Sequence, residues 1–145
     1  IRTVHHGGTV QLMLAGPSDV PLSQNATRSI YSQLLQAGVE IFEYQPQILH
    51  AKLFVIDRVV YAGSANLETR SLKINFEVLV RIPDGAVAEA GRELFRERLT
   101  HCRRITLAEW QASRTWWTRL KQKIAYYLLA HLDHHLARRH LRALK

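Results

Sequence analysis

The sequence predicts a layered α/β domain, a mixed β-sheet flanked by helices, followed by a basic amphipathic helical tail. Short apolar segments that end at Gly, Pro or Asp alternate with segments of helical spacing, an order typical of layered α/β folds. A chain of 145 residues with 47% hydrophobic content is long enough to bury the core of one such domain. We expect the domain to span residues 1–106 and the tail to span residues 107–145.

The first part of the predicted domain runs strand, helix, strand. Residues 10–14 are a short apolar run, which predicts a buried strand. Residues 23–37 carry apolar side chains at helical spacing, and Gly38 follows as a typical helix C-cap. Residues 39–44 return to the alternation of a strand.

The second part adds three strands and a helix. Residues 50–56 and 59–62 are rich in β-branched and aromatic side chains, which predicts a hairpin with a tight turn at Asp57-Arg58. Residues 76–82 predict a further strand. Residues 86–103 place apolar side chains on one helical face and Glu and Arg on the other.

The whole net charge of +8 lies in the C-terminal segment. The chain contains 20 Lys and Arg and 12 Asp and Glu; residues 1–102 hold ten of each, which leaves ten basic and two acidic residues for 103–145. A basic segment on a neutral body favours an anionic surface, either a membrane or a nucleic acid.

The tail has the spacing of an amphipathic helix. Most basic residues lie off a stripe formed by Trp116, Trp117, Leu120, Ile124, Leu128, His131 and Leu132. Two interpretations remain open: the stripe packs on the body or on a partner domain, or it lies in a membrane interface. No apolar run approaches the roughly 20 residues that are needed to span a bilayer.

Residues 48–80 carry side chains suited to phosphoryl transfer. In a strand, His50 and Lys52 would project from one face, with Leu53 and Val55 on the opposite, buried face. A nucleophile beside a cation suits this reaction, because positioning and charge neutralisation supply most of its catalysis.

Polar residues continue downstream of this pair. Ser64 and Asn66 can donate hydrogen bonds to phosphate oxygens, and Gly63 lets the backbone approach closely. Glu77 is a carboxylate in an otherwise apolar strand. Because burial of an unpaired carboxylate is costly, we expect a partner for it, and an imidazole is a reasonable one.

The spacing of these residues resembles the HKD signature of the phospholipase D superfamily. The match is His50-x-Lys52-x4-Asp57 followed by Gly63-Ser64-x-Asn66. The strings GSANLETRS and NFE, with LMLAGPSDVPL upstream, resemble bacterial cardiolipin synthases in particular. The resemblance covers roughly residues 4–125 and indicates the second of two half-domains. Five residues separate Asp57 from Gly63, where six are common in the superfamily.

The resemblance implies a catalytic half-domain and a role for each motif residue. His50 would be the nucleophile that forms a phosphohistidine, or the counterpart acid and base. Lys52, Ser64 and Asn66 would hold the phosphoryl oxygens. Glu77 would accept a hydrogen bond from the His50 ring and fix its tautomer. Asp57 and Gly63 would be structural. No cofactor and no metal are implied, because cationic and amide groups replace them.

The resemblance also implies an enzyme, a phosphatidyltransferase acting on phosphodiester bonds of phospholipids. Such a site needs two motifs and this chain has one, so we expect a second half-domain in the same full-length chain or a homodimer. The other expected partners are a phosphatidylglycerol-like substrate and an anionic membrane, at the cytoplasmic face of the bacterial inner membrane. The neutral body makes nucleic acid a weaker candidate. Two alternatives stay open: a homodimeric nuclease or phosphodiesterase of the superfamily, and a non-catalytic half-domain that scaffolds a partner domain.

Adjacent histidines in the chain do not predict a metal site. The side chains of His5-His6 and of His134-His135 would point in different directions on a helix or a strand. Neither pair has Asp, Glu or Cys at ligand spacing. We expect these histidines to be solvated.

Overall fold

A computed structural model describes residues 1–66 and 76–132 of the chain. The chain forms two compact units, the first from Ile1–Leu49 with His101–His131 and the second containing His50–Thr100. Each unit combines a three-stranded sheet with helices, and the sheet of the first unit is mixed. The predicted α/β class, with a mixed sheet flanked by helices, is confirmed. The division at residue 107 stays a prediction, because residues 133–145 lie outside the described part.

From β1 to α4 the elements follow the predicted order, whereas α1 and β6 were not predicted. The strands are β1 (Gln11–Ala15), β2 (Glu40–Tyr44), β3 (Leu53–Ile56), β4 (Val59–Gly63), β5 (Leu79–Ile82) and β6 (Cys102–Ile105). The helices are α1 (Arg2–His5), α2 (Pro21–Ser29), α3 (Tyr31–Gln36), α4 (Gly85–Leu99), α5 (Leu107–Ala112) and α6 (Trp116–Tyr127), followed by a π-helical turn at Leu128–Leu132.

The first unit is built on the sheet order β1-β2-β6. Strand β1 pairs in parallel with β2, and β6 pairs with β2 in the antiparallel sense. Its core consists of Tyr31, Val39, Ile41, Ile105 and Trp110, and the rings of Tyr31 and Trp110 lie 5.0 Å apart. Helix α5 therefore contributes to the same core as the strands.

The second unit is an antiparallel sheet of order β3-β4-β5 with α4 packed against it. A side chain at Gly91 of α4 would lie only 2.9 Å from Val55, so the helix packs tightly at this end of the hairpin. Leu53 lies on the same face of β3 as Val55. It is exposed, because the close contact of α4 is made at the Val55 end of the sheet. The expectation that Leu53 is buried is wrong.

The helix predicted over residues 23–37 is two helices, with α2 beginning at Pro21, a residue suited to the first helical position. The break follows Ser29, whose hydroxyl donates a hydrogen bond to the Ala26 carbonyl at 2.6 Å. The Ile30 amide bonds instead to the Thr27 carbonyl at 3.3 Å. In a continuous helix the Ile30 amide would donate to the Ala26 carbonyl. Here the Ser29 hydroxyl donates to that carbonyl instead, which interrupts the helix.

Both outer strands of the second unit are shorter than predicted. Strand β3 begins at Leu53, so His50 and Lys52 precede it instead of belonging to it. Strand β5 begins at Leu79, where a strand from residue 76 was predicted. The regular ladder stops there because the Ser64 hydroxyl, and not a backbone carbonyl, accepts the hydrogen bond of the Val78 amide, at 3.1 Å.

The helix predicted over residues 86–103 ends earlier, because its last residues form a strand. Helix α4 begins after Asp84, whose carboxylate accepts hydrogen bonds from the Ala86 and Val87 amides at 2.7 and 3.1 Å. These bonds lower the pKa of Asp84. The helix ends at Leu99, and the residues that follow pair with β2 as strand β6.

The first four residues of the predicted apolar stripe, Trp116, Trp117, Leu120 and Ile124, lie on the outer face of α6. The inner face packs against α2, with Gln122 and Ala125 buried. Trp116, Leu120 and Ile124 are exposed. The part of the stripe that lies on α6 is therefore not buried within the first unit, and its packing on a partner domain or in a membrane interface stays open. Among the described helices none is long and apolar enough to cross a bilayer.

Glu43 of β2 is the buried charge of the first unit. Its side chain is 2% exposed and accepts hydrogen bonds from Arg28 at 2.9 Å and Arg103 at 3.2 Å. The Tyr31 hydroxyl also donates to it at 3.4 Å. Burial, followed by the negative charge of Glu43, raises the pKa of Tyr31 well above its ordinary value, so this hydroxyl remains a donor.

We predict that Arg28→Met destabilises the chain by about 3 kcal/mol, because it leaves a buried carboxylate with a solvent-exposed Arg103 as its remaining cation. The matched control is Arg104→Met. Arg104 pairs with Glu40 at the surface, and we expect its loss to cost less than about 1 kcal/mol. Urea unfolding of both variants measures the difference. Equal losses of unfolding free energy in the two variants would contradict the conclusion that the buried carboxylate of Glu43 depends on Arg28.

Candidate active site

The hairpin of β3 and β4 places Asp57 at its tight turn, as the sequence predicted. Asp57 has a φ of 51°, in the left-handed region that Asp tolerates better than most residues. Its carbonyl accepts a hydrogen bond from Arg92 of α4. Sequence reasoning missed Arg92, because nothing in its spacing distinguishes it from the solvated arginines of the same helix.

His50 and Lys52 lie just before β3 and are held by main-chain contacts. The Lys52 ammonium donates a hydrogen bond to the His50 carbonyl at 2.8 Å. The Lys52 carbonyl in turn accepts one from the Gly63 amide at 3.3 Å. His50 is exposed and Lys52 is half-buried. The backbone of Lys52 is therefore bonded to the end of β4, and the Lys52 side chain holds the backbone of His50 beside it.

Gly63 stands where β4 passes closest to the residues before β5. A Cβ atom at this position would overlap the carbonyl oxygen of Val78 and lie 3.0 Å from the Cα atom of Leu79. The contact at Gly63 is with backbone, which cannot rotate away as a flexible side chain can. This position therefore requires glycine for close approach, and its φ angle plays no part.

Ser64 and Glu77 meet at this crossing. The Ser64 hydroxyl donates a hydrogen bond to the Glu77 carboxylate and accepts one from the Val78 amide at 3.1 Å. The Ser64 amide donates to the Val78 carbonyl at 2.9 Å. Three hydrogen bonds thus fix two predicted site residues that are 13 positions apart in sequence. The predicted bond from Glu77 to the His50 ring stays a prediction.

Asn66 lies on the same segment as Ser64. Ala65 between them is buried, at 5% exposure, and anchors the segment, whereas Asn66 is exposed to solvent. Asn75, the first residue of the NFE string, falls outside the described residues. The predicted phosphate ligands Lys52, Ser64 and Asn66 thus lie at or beside the end of β4.

Main-chain bonds hold the segment of His50 and Lys52 beside the end of β4, where the Ser64 hydroxyl meets the Glu77 carboxylate. Cationic and neutral donors of this kind bind phosphate oxygens, and an imidazole can act as nucleophile or as acid and base. Over residues 1–66 and 76–132, no group of three or more His, Cys, Asp or Glu side chains is placed to hold a metal ion.

Comparison with known proteins gives a consistent result. Residues 1–99 match the family described as "Cardiolipin synthase, PLD-like domain". The chain is 34% identical over 126 residues to cardiolipin synthase A of Buchnera aphidicola subsp. Acyrthosiphon pisum (strain APS), which covers 84% of this chain and 25% of that protein. It is 28% identical over 132 residues to cardiolipin synthase B of Salmonella typhi, covering 90% of this chain and 32% of that protein.

Two further facts qualify these similarities. The chain spans about a quarter to a third of the length of these curated relatives. Among solved structures, Nuc from Salmonella typhimurium, a phospholipase D family member, matches with a TM-score of 0.58 and 17% identity. That match covers 72% of this chain and 69% of Nuc, and at this identity it concerns the fold alone.

We predict that Gly63→Ala destabilises the second unit by about 1–3 kcal/mol, because the added methyl group meets backbone atoms that cannot move aside. The matched control is Gly85→Ala, whose methyl group would meet only the flexible end of Arg58. We expect the control to be near neutral. Urea unfolding followed by circular dichroism, with amide exchange at Ser64 and Val78, tests this. Equal stability of the two variants would contradict the close approach.

Proposed function

Because the chain belongs to the cardiolipin synthase, PLD-like domain family, we propose that it forms one of the two half-sites of a phosphatidyltransferase. The reaction would exchange the alcohol on a phospholipid phosphodiester through a phosphohistidine intermediate. The proposal rests on residues of the second unit together with the family assignment.

In the proposed reaction the imidazole of one motif attacks the phosphorus, and the bond from phosphorus to the leaving alcohol oxygen breaks. The imidazole of the other motif protonates that oxygen. An acceptor alcohol then loses its proton to the second imidazole and attacks phosphorus, and the nitrogen–phosphorus bond breaks. His50 takes one of these two roles. Lys52, Ser64 and Asn66 neutralise and orient the phosphoryl oxygens.

The contact between Ser64 and Glu77 is the observation that carries this proposal. It joins two residues that the motif assigns to one site but that the sequence separates by 13 positions. A hydroxyl that already accepts from the Val78 amide and donates to a carboxylate has a fixed orientation. The one proton of this hydroxyl is donated to Glu77, so the contact holds the carboxylate in place, and Ser64 would donate to a phosphoryl oxygen only by giving up that bond.

The second half-site would come from another part of a longer chain or from a second copy. The chain carries one motif, and it spans about a quarter of cardiolipin synthase A. Exposed apolar side chains in the second unit fit a surface that such a half could cover, namely Leu53, Phe76, Val78, Leu79 and Val80. The relatives are named as cardiolipin synthases, and for this chain we propose a phosphatidylglycerol-like donor with glycerol as the leaving alcohol.

Attachment to an anionic membrane would bring such a substrate to the site. On the outer face of α6, Trp116 and Trp117 are 62% and 57% exposed and stack with ring centroids 3.7 Å apart. Leu120 and Ile124 continue this face. The helical repeat places basic residues on both of its flanks, namely Arg119 and Lys123 on one side and Lys121 on the other. This pattern is typical of interfacial helices, and we assign it to the cytoplasmic face of the inner membrane.

We predict that His50→Ala in the complete enzyme lowers release of glycerol from phosphatidylglycerol by about 10³-fold or more, because it removes a group that forms or protonates the reacting bonds. His101→Ala, an exposed histidine outside the motif, is the control and should retain activity. Unchanged activity of His50→Ala would exclude the proposed site. Nicking of DNA by the wild type, without glycerol release, would instead favour the nuclease alternative.

We predict that Ile124→Glu weakens binding to anionic vesicles by about tenfold or more, because it removes an apolar side chain from the membrane-facing stripe and adds a like charge to that of the lipid. Leu94→Glu is the control, since Leu94 is exposed on α4 to a similar degree, 44% against 50%. Sedimentation with vesicles measures both. If both variants weakened vesicle binding equally, the apolar stripe of α6 would not be the membrane-binding surface.

A further inference from the structure

A cavity of about 820 Å³ opens in the first unit beside the outer face of α6. Its wall is cationic and rich in hydrogen-bond donors, with Ser32, Gln36, Arg114, Trp116, Arg119 and Lys123 among the lining residues. No carboxylate is among the residues that line it. None of the residues assigned to the phosphotransfer site contributes to it.

Arg114 is fixed at the inner wall. Its guanidinium group lies 5.1 Å from the ring centroid of Trp110, and one Nη1 hydrogen bonds to the Ser32 hydroxyl at 2.7 Å. Its Nε atom is buried and has no hydrogen-bond partner among the described residues. Burial lowers the pKa of Arg114, and the positive charge of Arg119 lowers it further. The wall of the cavity therefore carries a cation that is fixed in place.

Arg119 and Lys123 add two more positive charges at the same wall. They are four residues apart on α6, where two like charges repel each other. No carboxylate in the described part of the chain forms an ion pair with either of them. Some other cations of the described chain do have carboxylate partners: Arg96 pairs with Glu89 and Glu93, and Arg104 pairs with Glu40. A bound anion would offset the repulsion that the cavity leaves uncompensated.

We propose that this cavity binds the phosphate group of an anionic phospholipid in the membrane on which α6 lies. Arg114, Arg119 and Lys123 take the phosphate oxygens, and the Ser32 and Gln36 side chains can bond to a polyol headgroup. Trp116 and Leu120 stand at the same cavity and on the outer stripe, so the acyl chains follow the face that meets the bilayer. This inference rests on the proposed membrane attachment, and it adds a headgroup site to it.

The test uses monomeric dihexanoyl-phosphatidylglycerol with the full chain, so it does not depend on a bilayer. All three tryptophans lie between residues 110 and 117, and their fluorescence therefore reports on the first unit and not on the His50 region. We expect saturable binding to the wild type. Lys123→Gln and Arg119→Gln should each lower the affinity by about tenfold, because each removes a charge-assisted hydrogen bond.

The matched control is Lys121→Gln, which removes the same charge from the opposite flank of α6 and should leave the affinity unchanged. If Lys121→Gln and Lys123→Gln lost affinity equally, binding would depend on the general positive charge of α6, and the proposed site would be wrong. Equal affinity for dihexanoyl-phosphatidylcholine, or for glycerol phosphate without acyl chains, would overturn an anionic lipid as the occupant. If Ile124→Glu lost vesicle binding but still bound monomeric lipid, this would support a headgroup site in the cavity that is distinct from the membrane-facing stripe.

Discussion

The close approach of β4 to the Val78 backbone at Gly63 is the constraint on which the proposed site depends. Because a side chain at Gly63 would overlap the Val78 carbonyl, the two segments meet with only backbone between them. Ser64 then bonds to Val78 through both its amide and its hydroxyl and reaches Glu77. The same glycine donates its amide to the Lys52 carbonyl. One backbone crossing thus positions the hydroxyl, the carboxylate and the segment that carries the imidazole and the ammonium.

The sequence predicted those parts of the fold that follow from local chemistry. The tight turn at Asp57-Arg58 and the α/β order were readable from turn residues and apolar spacing. Strand β5 is shorter than predicted because a serine hydroxyl 14 positions away replaces a backbone acceptor, and no periodicity reveals such a contact. The contact of Arg92 with the Asp57 carbonyl spans 35 positions and was equally invisible. The motif spacing predicted the site residues, whereas the contact of Ser64 with Glu77 is visible only in the tertiary structure.

Some of the described cations of the first unit are paired with carboxylates and others are not. The unpaired cations carry the role that we propose for the basic C-terminal segment. Arg28 and Arg103 neutralise the buried carboxylate of Glu43, so they serve the stability of the unit. Arg119 and Lys123 have no such carboxylate among the described residues and stand beside an exposed apolar stripe. A domain that stabilises itself with paired charges and leaves others unpaired at an apolar surface is suited to an anionic interface.

The central claim is that this chain supplies one half of a two-motif phosphotransfer site. The most direct measurement is release of glycerol from phosphatidylglycerol by fractions of the chain that gel filtration resolves into monomer and dimer. We expect no turnover by the monomer, because a single imidazole cannot both attack the phosphorus and protonate the leaving oxygen. Activity confined to the dimer would identify a second copy as the missing half. Turnover that follows the monomer peak would contradict the claim that the chain supplies only half of the site.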